Sequence, residues 1–222
     1  MLQRLKKQVT KFQLFPKQRE FLRLLESLRT RYVLFVGGVG AGKSRAIIYA
    51  VLRLASKYPG IRILVTDSNW PSLRDTTYSD FIDLCPASWL IQHNKSTHSF
   101  RLKNKSRIVF RAFDDANKLK RYNFGAIACE ELSELDEEIF KMARTRLRQP
   151  RMPCVFFAAT NASTKNNWVY KAFIGPIADR LKNSAFVHCT TADNPFLPDE
   201  FIADMESVKD TDNTYYNRMV LA

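Results

Sequence analysis

The octet Gly37-Gly38-Val39-Gly40-Ala41-Gly42-Lys43-Ser44 constrains this chain more than any other stretch, because it satisfies the spacing G-x-x-x-x-G-K-[ST]. That spacing belongs to a strand, a tight glycine turn and the first turn of a helix. Both flanks are present: Tyr32-Val33-Leu34-Phe35-Val36 reads as a short buried strand, and Ala46 to Ser56 reads as a helix. Backbone N–H groups at such a helix start, aided by the helix dipole, surround an anion. The four glycines let main chain approach phosphate without a Cβ in the way. Lys43 is then expected at the β- and γ-phosphates of a nucleoside triphosphate, and the Ser44 hydroxyl at Mg²⁺. Arg45 follows one residue into the helix and completes the expected nucleotide-binding run.

The chain has 222 residues, 45% of them hydrophobic and 16 of them Phe, enough for one large α/β domain with a full core. Lys+Arg number 35 against 22 Asp+Glu, a net charge of +13 that favours a polyanionic partner. Cys85, Cys129, Cys154 and Cys189 have no C-x-x-C spacing, so buried thiols in a reducing setting are expected rather than a disulfide framework. Three histidines without H-E-x-x-H argue against a zinc site. No signal peptide opens the chain, and no apolar run approaches the roughly 18 residues of a membrane span.

Strand-like and helix-like segments alternate. Strands are expected at Tyr32–Val36, Ile61–Thr66, Ser99–Leu102, Arg107–Phe113, Ala126–Glu130, Cys154–Ala159 and Ala185–Thr190. Helices are expected at Pro16–Leu28, Lys43–Lys57, Pro71–Leu84, Asp136–Leu147, Trp168–Lys182 and Pro198–Val208. Such alternation predicts a mostly parallel sheet with helices on both faces. The polar turn Lys103-Asn104-Lys105-Ser106 predicts a β-hairpin. Charge is uneven: Lys95 to Arg121 holds nine Lys/Arg and two acids, whereas Glu130 to Glu138 holds six acids.

Triphosphate hydrolysis also needs a strand-end carboxylate for the metal and a base that orients water. The apolar strand before Glu130-Glu131 supplies both at the carboxyl edge of the sheet, with Glu130 assigned to Mg²⁺ through its water shell and Glu131 to the attacking water. A further strand ends in Thr160-Asn161, small polar residues suited to reading the γ-phosphate.

In order along the chain, these segments resemble the ATPase domain of the large terminase subunit, the DNA-packaging motor of tailed phages. Phe15-Pro16-Lys17-Gln18 resembles the adenine-recognising segment, with Gln18 at the base, and Gly37–Ser44 the P-loop. Leu64-Val65-Thr66 with Ser72-Leu73-Arg74-Asp75-Thr76 resembles the family's second strand and helix start. Phe110–Asp115 with Lys118-Leu119-Lys120 resembles its basic segment. Glu130-Glu131-Leu132 resembles the acidic motif, Ala159-Thr160-Asn161 the coupling motif, and Asp193-Asn194-Pro195 the closing segment. Three positions depart from the pattern: Val39 where arginine is frequent, Glu130 where aspartate is commoner, and Ala162 where glycine or proline is frequent.

The resemblance implies a RecA-like (ASCE-type) P-loop fold over residues 1–222, with an adenine-recognition segment (1–30), a core (31–191) and a C-terminal segment (192–222). It implies ATP and Mg²⁺, double-stranded DNA, the procapsid portal, the small terminase subunit and a ring of copies that is monomeric in isolation. The setting it implies is the cytoplasm of an infected bacterium, and the chain reads as a fragment lacking the family's nuclease domain. With Val39 in the loop, Arg121 is the expected transition-state cation, supplied to a neighbouring subunit, with a cis residue such as Arg45 or Arg74 as the alternative. Phosphate contacts without base readout are expected from Lys103, Lys105, Arg107, Lys141, Arg144 and Arg148. Two other readings remain open: a helicase-type translocase, which needs a second RecA-like domain, and a nucleotide-dependent switch with negligible turnover.

Overall fold

The structure is a computed structural model that describes residues 13–27, 29–113 and 122–222. Arg121 and the Asp114–Lys120 stretch, read above as a basic segment and a source of the cation, lie outside the described residues.

A single eight-stranded sheet organises them. Its strands are β1 (Tyr32–Gly37), β2 (Arg62–Thr66), β3 (Leu90–Asn94), β4 (Ser99–Leu102), β5 (Arg107–Phe110), β6 (Ala126–Cys129), β7 (Val155–Thr160) and β8 (Ser184–Cys189). In space the order is β3-β4-β5-β2-β6-β7-β1-β8. From β5 to β8 every neighbour is parallel, while β3, β4 and β5 pair antiparallel. The mostly parallel α/β architecture and the β4–β5 hairpin are as the sequence predicts.

The central strands β1, β6 and β7 are buried at every position, because helices cover both faces. On one side Val33, Phe35, Val65, Ala128 and Phe157 pack with α1 (Pro16–Glu26) and α2 (Lys43–Lys57). On the other, Leu34, Val36, Ile127 and Phe156 pack with Phe140 and Ala143 of α5 (Glu137–Arg146). Alternate residues of one strand thus serve two cores, the period-2 rule of a two-sided sheet.

Three elements differ from expectation. Leu90–Asn94 is an unforeseen edge strand; with two apolar residues and a half-exposed pattern it carries no alternation to read. The expected helix Trp168–Lys182 stops early: a wide turn spans Tyr170–Ile174, Gly175 N–H donates to Tyr170 O, and Pro176 cannot continue the ladder. Beyond α6 (Asp199–Thr211) comes α7 (Asn213–Tyr216), continued by a wide turn over Asn217–Leu221, where no helix was predicted. The Asp212 side chain caps it, accepting from Tyr215 N–H at 2.8 Å. Among the described residues no helix is long and apolar enough to cross a membrane.

Candidate nucleotide site at the carboxyl edge of the sheet

Residues 37–44 join β1 to α2. Gly42 sits at the helix start with φ +70°, a left-handed conformation that glycine adopts without strain. Gly38 meets a further, steric constraint that the sequence motif does not show. A Cβ there would lie 2.5 Å from Val220 O and 2.9 Å from Met219 O, so the C-terminal helical segment occupies that space. The same segment accepts from Val39 N–H through Met219 O at 2.6 Å. Thr191 Oγ1 donates to Val39 O at 2.8 Å and Asn194 Nδ2 to Gly40 O at 2.6 Å. The loop is clasped from its C-terminal side.

From the N-terminal side, Gln18 is buried on α1 and donates through Nε2 to Gly42 O at 3.0 Å. An amide has two N–H donors and one acceptor, so this bond leaves the other donor and the carbonyl outside it. Arg45 is exposed on α2.

Lys43 Nζ donates to Gly37 O at 2.9 Å, Gly38 O at 2.8 Å and Asn161 Oδ1 at 2.8 Å. Burial lowers its pKa, against the pull of Glu131 and Glu130. Asn161 follows β7, which lies between β1 and β6. It also donates to Glu131, from its backbone N–H at 3.3 Å and from Nδ2 at 3.4 Å. Thr160, fully buried, donates to Ser133 Oγ at 2.7 Å. Lysine, asparagine and glutamate from three elements therefore form one connected polar group.

The two consecutive acids turn to different partners. Glu130 is 4% exposed; Thr77 Oγ1 donates to its Oε1 at 2.7 Å and Ser44 Oγ to its Oε2 at 3.3 Å. Burial pushes its pKa up to about 7, opposed by the Thr77 hydrogen bond. Glu131 takes φ +40°, ψ +51°, which swings its side chain to Asn161 instead. Its pKa is also raised, again by burial first. A hydroxyl beside a buried carboxylate is a hard-oxygen pair of the kind that suits Mg²⁺.

Sequence reasoning missed Asp67 and Thr77. Asp67 ends the β2 run Ile63-Leu64-Val65-Thr66, is 2% exposed, and accepts from Ser72 Oγ at 2.8 Å. An acid directly after an apolar strand was the available signal. Arg74, in the segment read as a helix start, forms an exposed pair with Asp75 at 2.6 Å.

The basic residues fall elsewhere. Lys103 and Lys105 lie in the β4–β5 turn, and Arg107 opens β5 opposite Arg62, which opens β2. Arg148 follows α5 and donates to Asn123 Oδ1 at 2.6 Å. Arg144 lies over the Tyr32 ring at 5.1 Å and donates to the Tyr32 hydroxyl at 3.2 Å. These five occupy the amino edge of the sheet, opposite the P-loop. Lys141 does not join them: it sits mid-helix and is paired with Glu137 at 3.5 Å and Glu138 at 2.8 Å.

Comparison with known proteins agrees with this geometry. The family described as phage terminase large subunit matches residues 29–222. The PBSX phage terminase large subunit of Bacillus subtilis (strain 168) is 29% identical over 206 residues, covering 83% of this chain and 47% of that protein. The large terminase subunit of Bacillus phage SPP1 is 29% identical over 207 residues, 86% of this chain and 48% of that protein. The chain thus spans about half the length of the curated relatives it matches. Among solved structures, the large terminase of a thermophilic bacteriophage superposes with a TM-score of 0.79 at 14% identity, covering 94% of this chain and 53% of that one. That protein has also been solved with ADP and with ATP-γ-S. The Thermus phage P74-26 large terminase ATPase domain superposes at 0.65 with 12% identity, covering 94% of this chain and 98% of that one. A P-loop strand, an acid-ending strand and a polar strand end brought to one edge, in a chain matched over residues 29–222, place it in the phage terminase large subunit family.

Proposed function

We propose that this chain is the ATP-hydrolysing motor domain of a viral genome-packaging terminase, which drives double-stranded DNA into a procapsid. The observation that carries the reading is the single polar group at the carboxyl edge, in which Lys43, Asn161 and Glu131 are linked and Ser44 meets Glu130. A structural neighbour solved with ADP and with ATP-γ-S supports nucleotide binding. The overlap of 94% of this chain with a domain described as a terminase ATPase domain supports reading the matched part as one functional unit.

The roles follow from what each side chain can offer. The loop N–H groups and Lys43 hold the phosphates, Lys43 exchanging backbone carbonyls for phosphate oxygens. Ser44 and, through water, Glu130 would hold Mg²⁺, which would supply positive charge against that of the bound phosphates. Glu131 orients the attacking water, and Asn161, touching both Lys43 and Glu131, transmits the state of the γ-phosphate. Gln18 reads the adenine edge with the groups its Gly42 bond leaves over. Arg121 supplies the transition-state cation to a neighbouring copy in the ring. The amino edge carries DNA, and the portal, the small terminase subunit and the host cytoplasm complete the setting.

Measuring ATP turnover of the purified chain with and without duplex DNA tests the reading. The wild type should hydrolyse ATP with a rate that DNA alters, and folded Lys43→Ala should be inactive, because the mutation removes a charge that stabilises the developing phosphate charge. Wild-type turnover in Lys43→Ala, or none in the wild type, would defeat it.

A further inference from the structure

Thr77 belongs to a helix that the roles above leave unused. This helix begins as α3 (Trp70–Leu73), widens over Arg74–Tyr78 and resumes as α4 (Ser79–Leu84). Leu73, Thr77 and Phe81, 0%, 1% and 0% exposed, form its buried stripe, four residues apart and hence on one face. One hydroxyl therefore stands in an otherwise apolar row. A helical threonine ordinarily bonds back to the carbonyl four residues earlier, and Thr76 does so, donating to Ser72 O at 2.8 Å. Thr77 instead donates across to Glu130 Oε1 at 2.7 Å.

The consequence falls on the other oxygen. With Oε1 engaged, Oε2 is the one that accepts from Ser44 Oγ, at 3.3 Å. We infer that Thr77 is a positioning residue: it fixes the rotation of the Glu130 carboxylate, so that one oxygen is presented beside Ser44 for the divalent cation. The inference rests on the ATPase reading above. Thr77 is itself well held. Ser72 Oγ donates to Asp67 Oδ2 at 2.8 Å and Asn69 Oδ1 accepts from Ser72 N–H at 2.9 Å. At the other end, the Tyr78 hydroxyl bonds His93 Nε2 of β3 at 2.8 Å. The wide turn is thus pinned to β2 on one side and to the edge strand on the other, with Thr77 between.

The test titrates Mn²⁺, which takes the same oxygen ligands as Mg²⁺ and is visible by electron paramagnetic resonance, into the full chain with ADP present. ADP keeps the assay independent of turnover. Thr77→Val keeps the shape and removes the O–H; Mn²⁺ affinity should fall about 10- to 100-fold, as for loss of a group that orients a ligand. Metal-free ADP binding should be unchanged. Thr77→Ser should restore Mn²⁺ affinity, and Thr76→Val, on the exposed side of the same turn, should leave it alone. Should Thr77→Val fail to fold, Thr77→Ala takes its place against Thr77→Ser. Equal Mn²⁺ affinity with and without the hydroxyl, beside a wild type that binds Mn²⁺–ADP, overturns this inference alone. A wild type that binds no Mn²⁺–ADP overturns the nucleotide reading and this inference with it.

Discussion

Glu131 is held in a backbone conformation that costs a residue with a Cβ roughly 1–2 kcal/mol, at φ +40° and ψ +51°. The strain has a use: in extended backbone successive side chains point to opposite faces, whereas here two consecutive acids leave one strand end for Ser44 and Asn161. Exchanging Glu131 for Gln keeps the size and the backbone but weakens the hold on a water proton. Turnover should fall by roughly 10²-fold or more while ATP binding persists, measured by single-turnover hydrolysis beside equilibrium binding. Normal turnover in Glu131→Gln together with a dead Glu130→Gln would show the two roles reversed. The Glu-Glu pair itself was legible as a strand-end acid motif. Which acid faces which partner was not, because that depends on one backbone angle and on Thr77 and Asn161, far apart in sequence.

At the level of elements, the strand, loop and helix around residues 32–57 were legible because their signals are local: an apolar run, a glycine spacing, a helical period. The clasp over the loop was not. Nothing near Gly38 announces that Met219 and Val220, about 180 residues later, will lie against it, and the motif itself requires glycine only at Gly37 and Gly42. The missed β3 is an edge strand without alternation, whereas the early stop of the helix after Trp168 has a local signal in Gly175-Pro176. Gly38→Ala exposes the tertiary part of this account. Its Cβ would meet backbone oxygens at 2.5 and 2.9 Å, which cannot rotate away as a side chain can, so α7 and the turn after it must shift. Overpacking of this kind costs about 1–3 kcal/mol, a fall in melting temperature of roughly 2–12 °C for a chain of this size. An unchanged melting temperature would mean that the C-terminal segment does not rest on the loop in solution.

On the scale of the whole molecule, the sheet separates charge along its strands. Asp67, Glu130, Glu131 and Glu134 gather at the carboxyl edge with the P-loop. At the amino edge stand Arg62 and Arg107 in register, Lys103 and Lys105 in the adjoining turn, Arg148, and Arg29 and Arg31 in a cleft with Cys154 and Asn183. None of these basic residues forms an ion pair with a described residue. From β4 to β8 the sheet makes six inter-strand steps, and at about 4.8 Å each they span roughly 29 Å, or some eight to nine base pairs of duplex at about 3.4 Å. The sequence alone offered the hairpin and α5 as separate basic groups; the parallel register joins them on one edge and sets Lys141 aside. Duplex binding should therefore be indifferent to base sequence, steeply salt-dependent, and should stop strengthening once the duplex exceeds about ten base pairs. In fluorescence anisotropy across a salt series, replacing Arg62, Arg107 or Arg148 by Ala should each reduce the slope of log affinity against log salt by about one unit. Lys141→Ala, whose charge Glu137 and Glu138 already match, should leave the slope as it was. A slope that responds to Lys141 but not to Arg62 or Arg148 would move the DNA off this edge and onto the outer face of α5.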